Sequence, residues 1–127
     1  MRKVIAAFNM TIDGFCDHTA GIPDDEIHQH YADLLSNAGI VLYGRITYQL
    51  MEYWRGVADS PTGNRSIDNF AQIMDNTPKL VFSRTLKSVD WKSAKLANRR
   101  LEDEVAELKQ QPGKDIFVGC RSLIIQL

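Results

Sequence analysis

Short apolar runs of strand length alternate along this chain with longer stretches whose apolar residues recur every three or four positions. The architecture that buries both patterns is a sheet covered by helices, with strands joined through helical crossovers and therefore largely parallel. Residues 3–9 hold the first apolar run, and residues 11–23, rich in Gly, Asp and Thr, read as a loop. A helix is expected from Asp24-Asp25-Glu26, whose carboxylates suit the positive end of a helix dipole. Its inner face is Ile27, Tyr31, Leu34, Leu35 and Ala38, and Gly39 is expected to stop it.

The pattern then repeats. Residues 40–43 form a strand, residues 47–54 a short helix and residues 56–65 a surface loop. Ser66 is expected to cap a helix through Met74, ended by Thr77-Pro78, before a strand at residues 80–82. A weaker strand is expected within residues 92–96, and Asn98 is expected to cap a helix that buries Leu101, Val105 and Leu108. After the Pro112-Gly113 turn come a strand at residues 116–118 and a helix from Arg121. At 127 residues this is one α/β domain of three layers, covering residues 1–127.

Charge and cysteine usage narrow the partners. A formal net charge of -1 gives no general attraction for nucleic acid or an anionic membrane, so any anion site must be local. The first apolar run breaks at Asn9, too short for a signal-peptide core or a membrane span. Cys16 and Cys120 have no metal-type spacing, and a reducing cytoplasm is the expected setting. His28 and His30 point to nearly opposite sides of a helix; they suit local pairing with Asp24 and Glu26 better than a metal. Trp54, Trp91, Tyr48 and Tyr53 suit packing, with stacking on a flat heterocycle the other use, and Arg99-Arg100 suits a solvated face.

Three strand ends share one chemistry: Gly44-Arg45-Ile46-Thr47, Ser83-Arg84-Thr85 and Gly119-Cys120-Arg121-Ser122. In open α/β sheets ligands lie beyond the carboxyl ends of strands, and helix N-termini there present unpaired N–H groups that favour phosphate. Glycine permits close approach, while hydroxyl and guanidinium groups complete a cradle. A Gly-Arg after a strand is also an ordinary turn followed by a solvated charge. Whether the three ends converge is a question for the tertiary structure.

Four segments resemble the dihydrofolate-reductase-like superfamily, and most closely its branch containing the reductase domain of bacterial riboflavin biosynthesis. They are residues 4–15 with Thr11-Ile12-Asp13-Gly14, residues 42–48, residues 79–86 and residues 115–123. The resemblance implies a dihydrofolate-reductase-like fold, bound NADPH, and hydride transfer to a small pterin-like or pyrimidine-like heterocycle. It implies that Gly44, Arg45 and Thr47 meet the cofactor's phosphates, that Ser83 and Arg84 sit at the adenosine end, and that Gly119, Cys120, Arg121, Ser122 and Leu123 line the pyrophosphate and nicotinamide side. Asp13 would orient a substrate amide or help deliver a proton, although Asp-Gly is also a common turn. Cys120 stands where the family usually has a second glycine. Family members also continue beyond Leu127 with further strands beside the first, so the chain is expected to lack these and to form a homodimer or higher oligomer through its first strand or last helix. The alternative is a non-catalytic nucleotide-binding domain of the same fold.

Overall fold

A computed structural model describes residues 3–6 and 25–126. In chain order the elements are β1 (Val4–Ala6), α1 (Asp25–Ser36), β2 (Ala38–Gly44), α2 (Arg45–Asp59), α3 (Arg65–Asn76), β3 (Lys79–Phe82), β4 (Ala94–Leu96), α4 (Leu101–Gln110), β5 (Asp115–Val118) and α5 (Arg121–Gln126). The strands form one sheet in the order β1-β5-β2-β3-β4, and every neighbouring pair is parallel. Tyr43 registers with Val81 of β3, and Leu42 with Val118 of β5.

Side-chain alternation splits the core in two. Val41, Tyr43, Val81 and Phe117 pack against α1, α2 and α3, through Ala32, Leu35, Tyr48, Phe70 and Met74. Leu42, Ile116 and Val118 face the other way and pack against α4 and α5, through Leu101, Val105 and Leu123. Central strands covered on both sides read as unbroken apolar runs, which is why Val41-Leu42-Tyr43 and Ile116-Phe117-Val118 are wholly buried. The expected three-layer α/β fold with a parallel sheet is the one observed.

Several boundaries differ from the expectation for local reasons. Gly39 does not stop α1; it lies in β2, where the register with β5 shifts between Ala38 and Ile40. The helix ends at Ser36 because side chains satisfy its last carbonyls. Ser36 Oγ donates to Ala32 O (2.8 Å), Asn37 Nδ2 to Asp33 O (3.0 Å) and Lys114 Nζ to Ser36 O (3.1 Å). α2 starts two residues earlier than expected and runs on to Asp59, past Gly56, anchored by buried Val57 and by Arg55, which pairs with Asp90 at 3.1 Å. Asn64, rather than Ser66, caps α3, accepting from Ser66 N (3.1 Å) and Ile67 N (3.3 Å). Asn98 does not cap α4; Arg100 occupies that position without a side-chain cap.

Lys79 opens β3 yet is only 1% exposed. Its ammonium has three protons and three acceptors: Met74 O, Thr77 O at 2.7 Å and Ser93 Oγ at 2.7 Å. It closes the C-terminal end of α3 and lies 4.0 Å from the centroid of the Trp91 ring. Burial pulls its pKa down from 10.5 to about 8, with Asp75 opposing. Between those values the unfolded chain holds more of this proton. The group's contribution to stability therefore rises from pH 8 to 10.5 and is lost as pH falls through 8. Buried Tyr43 works oppositely at higher pH, because its phenol pKa is raised by burial and by Cys120. We expect the stability gap between wild type and Lys79→Met, measured by urea denaturation, to widen from about pH 7.5 to about pH 9.5. A gap that narrows would mean that the carbonyl cage favours the ammonium over the amine.

Candidate functional site

β2, β3 and β5 end at the same rim of the sheet, and the chain leaves each through the loops singled out in the sequence. Together they wall a cleft of about 1280 Å³ whose lining includes Gly44, Arg45, Thr47, Ser83, Arg84, Cys120 and Leu123. Of the eleven residues singled out, seven therefore share one cavity. Gly119 adjoins Cys120 but is not part of the lining. Arg121 and Ser122 open α5, but their side chains lie outside the described residues, as does all of Asp13.

The electrostatics of the cleft follow from two unlike helix starts. α4 places Glu102, Asp103 and Glu104 in its first turn, so its own carboxylates meet the positive end of its dipole. α2 has no acid in its first turn, no side-chain cap on Gly44, and a cation, Arg45, as its first residue. A cation at that end is unfavourable by a few tenths to about 1 kcal/mol, a cost that a bound anion would reverse. Arg45 makes one long bond, to Gln49 Oε1 at 3.4 Å, and Arg84 pairs with no carboxylate among the described residues.

The stretch 97–102 forms a further wall and includes Arg99-Arg100, expected on a solvated face. Its arginines are already neutralised. Arg99 pairs with Glu104 at 3.0 Å and with Glu107, and Arg100 with Glu102 at 2.7 Å. Glu104 is 8% exposed and holds Arg99 in place; the two carboxylates raise the pKa of that guanidinium further. Acids at positions 102, 104 and 107, two to eight residues beyond Arg99-Arg100, were the available sequence signal. Arg45 and Arg84 are thus left as the cleft's uncompensated cations among the described residues.

Ser83 is partly committed to its own loop, since its Oγ accepts from Thr85 N and Leu86 N, both at 3.1 Å. This turn fixes the start of the loop that carries Arg84. Gly119 is required by packing. A Cβ there would stand 2.9 Å from Phe117 Cε1 and 3.5 Å from Tyr43 Cε1, both on buried rings. We expect Gly119→Ala to lower stability by about 1–3 kcal/mol in urea denaturation, because neither ring has room to yield. An unchanged midpoint would show that the Phe117 and Tyr43 rings can adjust.

The other chemistry-bearing residues sit elsewhere. His28 packs edge-on to Trp54 (5.6 Å between centroids) and against Phe70 (6.0 Å), while His30 meets Tyr31 (5.4 Å), so the two histidines are apart. Trp91, Tyr48 and Trp54 belong to the core, and Tyr53 is exposed. A second hollow, at the start of α3, is lined by Asn64, Arg65 and Asp68 among others. There the chain satisfies itself. Asp68 accepts from Thr62 N, Thr62 Oγ1 and Gly63 N at 2.8–2.9 Å, and the Thr62 backbone bond leads in holding its carboxyl below the usual range. Among the described residues no helix is long and apolar enough to cross a membrane.

No family model matches the chain. It is similar to a protein of Bacillus subtilis (strain 168) described as uncharacterized protein YyaP, with 31% identity over 127 positions. The match takes in 97% of this chain and 65% of that protein, so the chain spans just under two thirds of its relative's length.

Proposed function

We propose that the cleft binds NADPH and that the chain is the cofactor-holding body of a reductase acting on a small pterin-like or pyrimidine-like heterocycle. The observation that carries this is the gathering of Gly44, Arg45, Thr47, Ser83 and Arg84 in one cleft, with both guanidinium groups lacking a carboxylate partner among the described residues. A volume of about 1280 Å³ exceeds the roughly 300–1,000 Å³ of pockets for drug-sized ligands, as an extended dinucleotide requires.

Arg45, Thr47 and the first N–H groups of α2 hold the diphosphate in this proposal. Arg84, with Ser83, meets the 2′-phosphate. Cys120 and Leu123 line the floor. When bound, NADPH supplies the hydride, and the chain contributes binding, orientation and exclusion of water. Asp13 is the candidate for orienting the substrate or moving a proton. A cytoplasmic setting and self-association belong to the same proposal.

Thermal-shift titration with NADPH, NADH and ADP tests it. One-site binding at a hundredfold excess over the dissociation constant adds about 2.7 kcal/mol, and NADPH should stabilise more than NADH or ADP. A melting temperature that none of the three moves would remove the proposal. Cys120 favours a second reading, binding without turnover, because it is buried in the cleft lining where glycine is the resembled family's usual residue. Oxidation of NADPH that depends on an added pterin or pyrimidine separates the two readings.

A further inference from the structure

Residues 84–100 leave the cleft and come back to it. Arg84 lines it at one end of the stretch, Arg99 and Arg100 at the other, and between them the chain runs through β4, the strand at the edge of the sheet. The stretch holds six of the chain's fifteen Lys and Arg residues but one of its sixteen acids, Asp90. All six cations are exposed. Asp90 is engaged by Arg55, while Glu102, Glu104 and Glu107 of α4 are engaged by Arg99 and Arg100. Lys87, Lys92 and Lys95 make no ion pair among the described residues. Positive charge is thus concentrated at this edge, and the rest of the chain is acidic on balance.

We infer that Lys87, Lys92 and Lys95 form an electrostatic approach to the cleft, which draws in its phosphate-bearing ligand before contact is made. This rests on the reading of the cleft as a dinucleotide site. None of the three lysines lines the cleft, so none is placed to hold the ligand once it is bound. They are near enough to act through solvent. Lys95 stands two residues before Ala97 of the cleft wall, roughly 7 Å along the chain. Lys87 follows Arg84 by three residues and Lys92 precedes Ala97 by five, at most about 11 and about 18 Å of chain. The screening length is about 30 Å at about 0.01 M salt and about 10 Å at about 0.1 M, so at low salt all three reach the mouth of the cleft.

A lysine on an edge strand also discourages pairing with another chain. That accounts for Lys95 alone, because Lys87 and Lys92 lie in the connection before β4. Steering accounts for all three, and for their place between the two cationic ends of one cleft. Charges that act only on approach raise the association rate and leave dissociation to the groups in contact.

Stopped-flow mixing of the full chain with NADPH, followed through the cofactor's fluorescence, gives both rate constants. Lys87→Gln, Lys92→Gln and Lys95→Gln combined should slow association by about 3- to 10-fold at about 0.01 M salt and leave dissociation within about twofold. Salt at about 0.1 M should shrink that difference. Lys109→Gln, the same kind of change in the last turn of α4, should leave association within about twofold of wild type. Association that the triple variant leaves unchanged overturns the inference, while NADPH binding, and with it the cofactor reading, stands. A loss of affinity carried by faster dissociation also overturns it, because the lysines would then be contacts. A chain that binds no NADPH at either salt overturns both.

Discussion

Trp91→Ala is expected to lower the stability of the chain by about 3–5 kcal/mol, a large part of the roughly 5–15 kcal/mol available to a domain of this kind. The ring is 2% exposed and belongs to the larger of the two core clusters. Its Nε1 donates to Asp75 Oδ1 at 2.7 Å, its face lies under the Lys79 ammonium, and its centroid is 6.2 Å from that of Tyr48. Removing it therefore opens a cavity, deprives Asp75 of its donor, and takes the π face from a cation that is already buried. Trp91→Phe keeps most of the volume and part of the π face but not the donor, and should cost about 1–3 kcal/mol. Urea denaturation of both variants, with an unchanged m value, checks this ordering. Equal losses in the two would mean that packing contributes little and the Asp75 bond nearly everything.

The second large effect concerns binding. Hydrogen bonds to charged groups contribute about 1.5–3 kcal/mol, so Arg45→Ala and Arg84→Ala should each weaken NADPH by about 10- to 100-fold. The double variant should lose about 10²- to 10⁴-fold if the two act independently. The patterns should differ. If the cleft binds NADPH as proposed, Arg84→Ala should narrow the preference for NADPH over NADH, because it would remove the partner of the 2′-phosphate, whereas Arg45→Ala should weaken both cofactors alike. Both side chains are exposed, so stability should move by no more than about 0.5 kcal/mol, and Arg45→Ala relieves a cation at the head of α2. NADPH affinity within about twofold of wild type in the double variant would exclude the cleft as the site.

Expectations from local pattern failed where other contacts, local or tertiary, closed or extended an element first. Gly39 looked like a helix stop, but the side chains of Ser36, Asn37 and Lys114 closed α1 first and left the glycine to a strand irregularity. Gly56 looked like the start of a loop, but burial of Val57 and the Arg55–Asp90 pair carried α2 past it. Lys79 gave no sign in sequence that it would be buried, because its three acceptors come from the end of α3 and from Ser93. Arg99 and Arg100 are exposed as expected, and the fold of residues 97–102 against the neighbouring strand ends also makes them part of the cleft wall.

What the amino-acid order settled unaided was the layering. Apolar runs of strand length between helical stripes can bury both patterns in a parallel sheet covered on two faces, and that constraint acts within each segment. It also marked Gly44-Arg45, Ser83-Arg84 and Gly119-Cys120 as strand ends, since a strand end is a local event. That the first two pairs and Cys120 border one cavity, and that Arg45 and Arg84 are left without carboxylates while Arg99 and Arg100 are neutralised, depends on strand order and on which helix start faces which loop. Those are relations between segments some forty residues apart, and only packing of the whole sheet decides them.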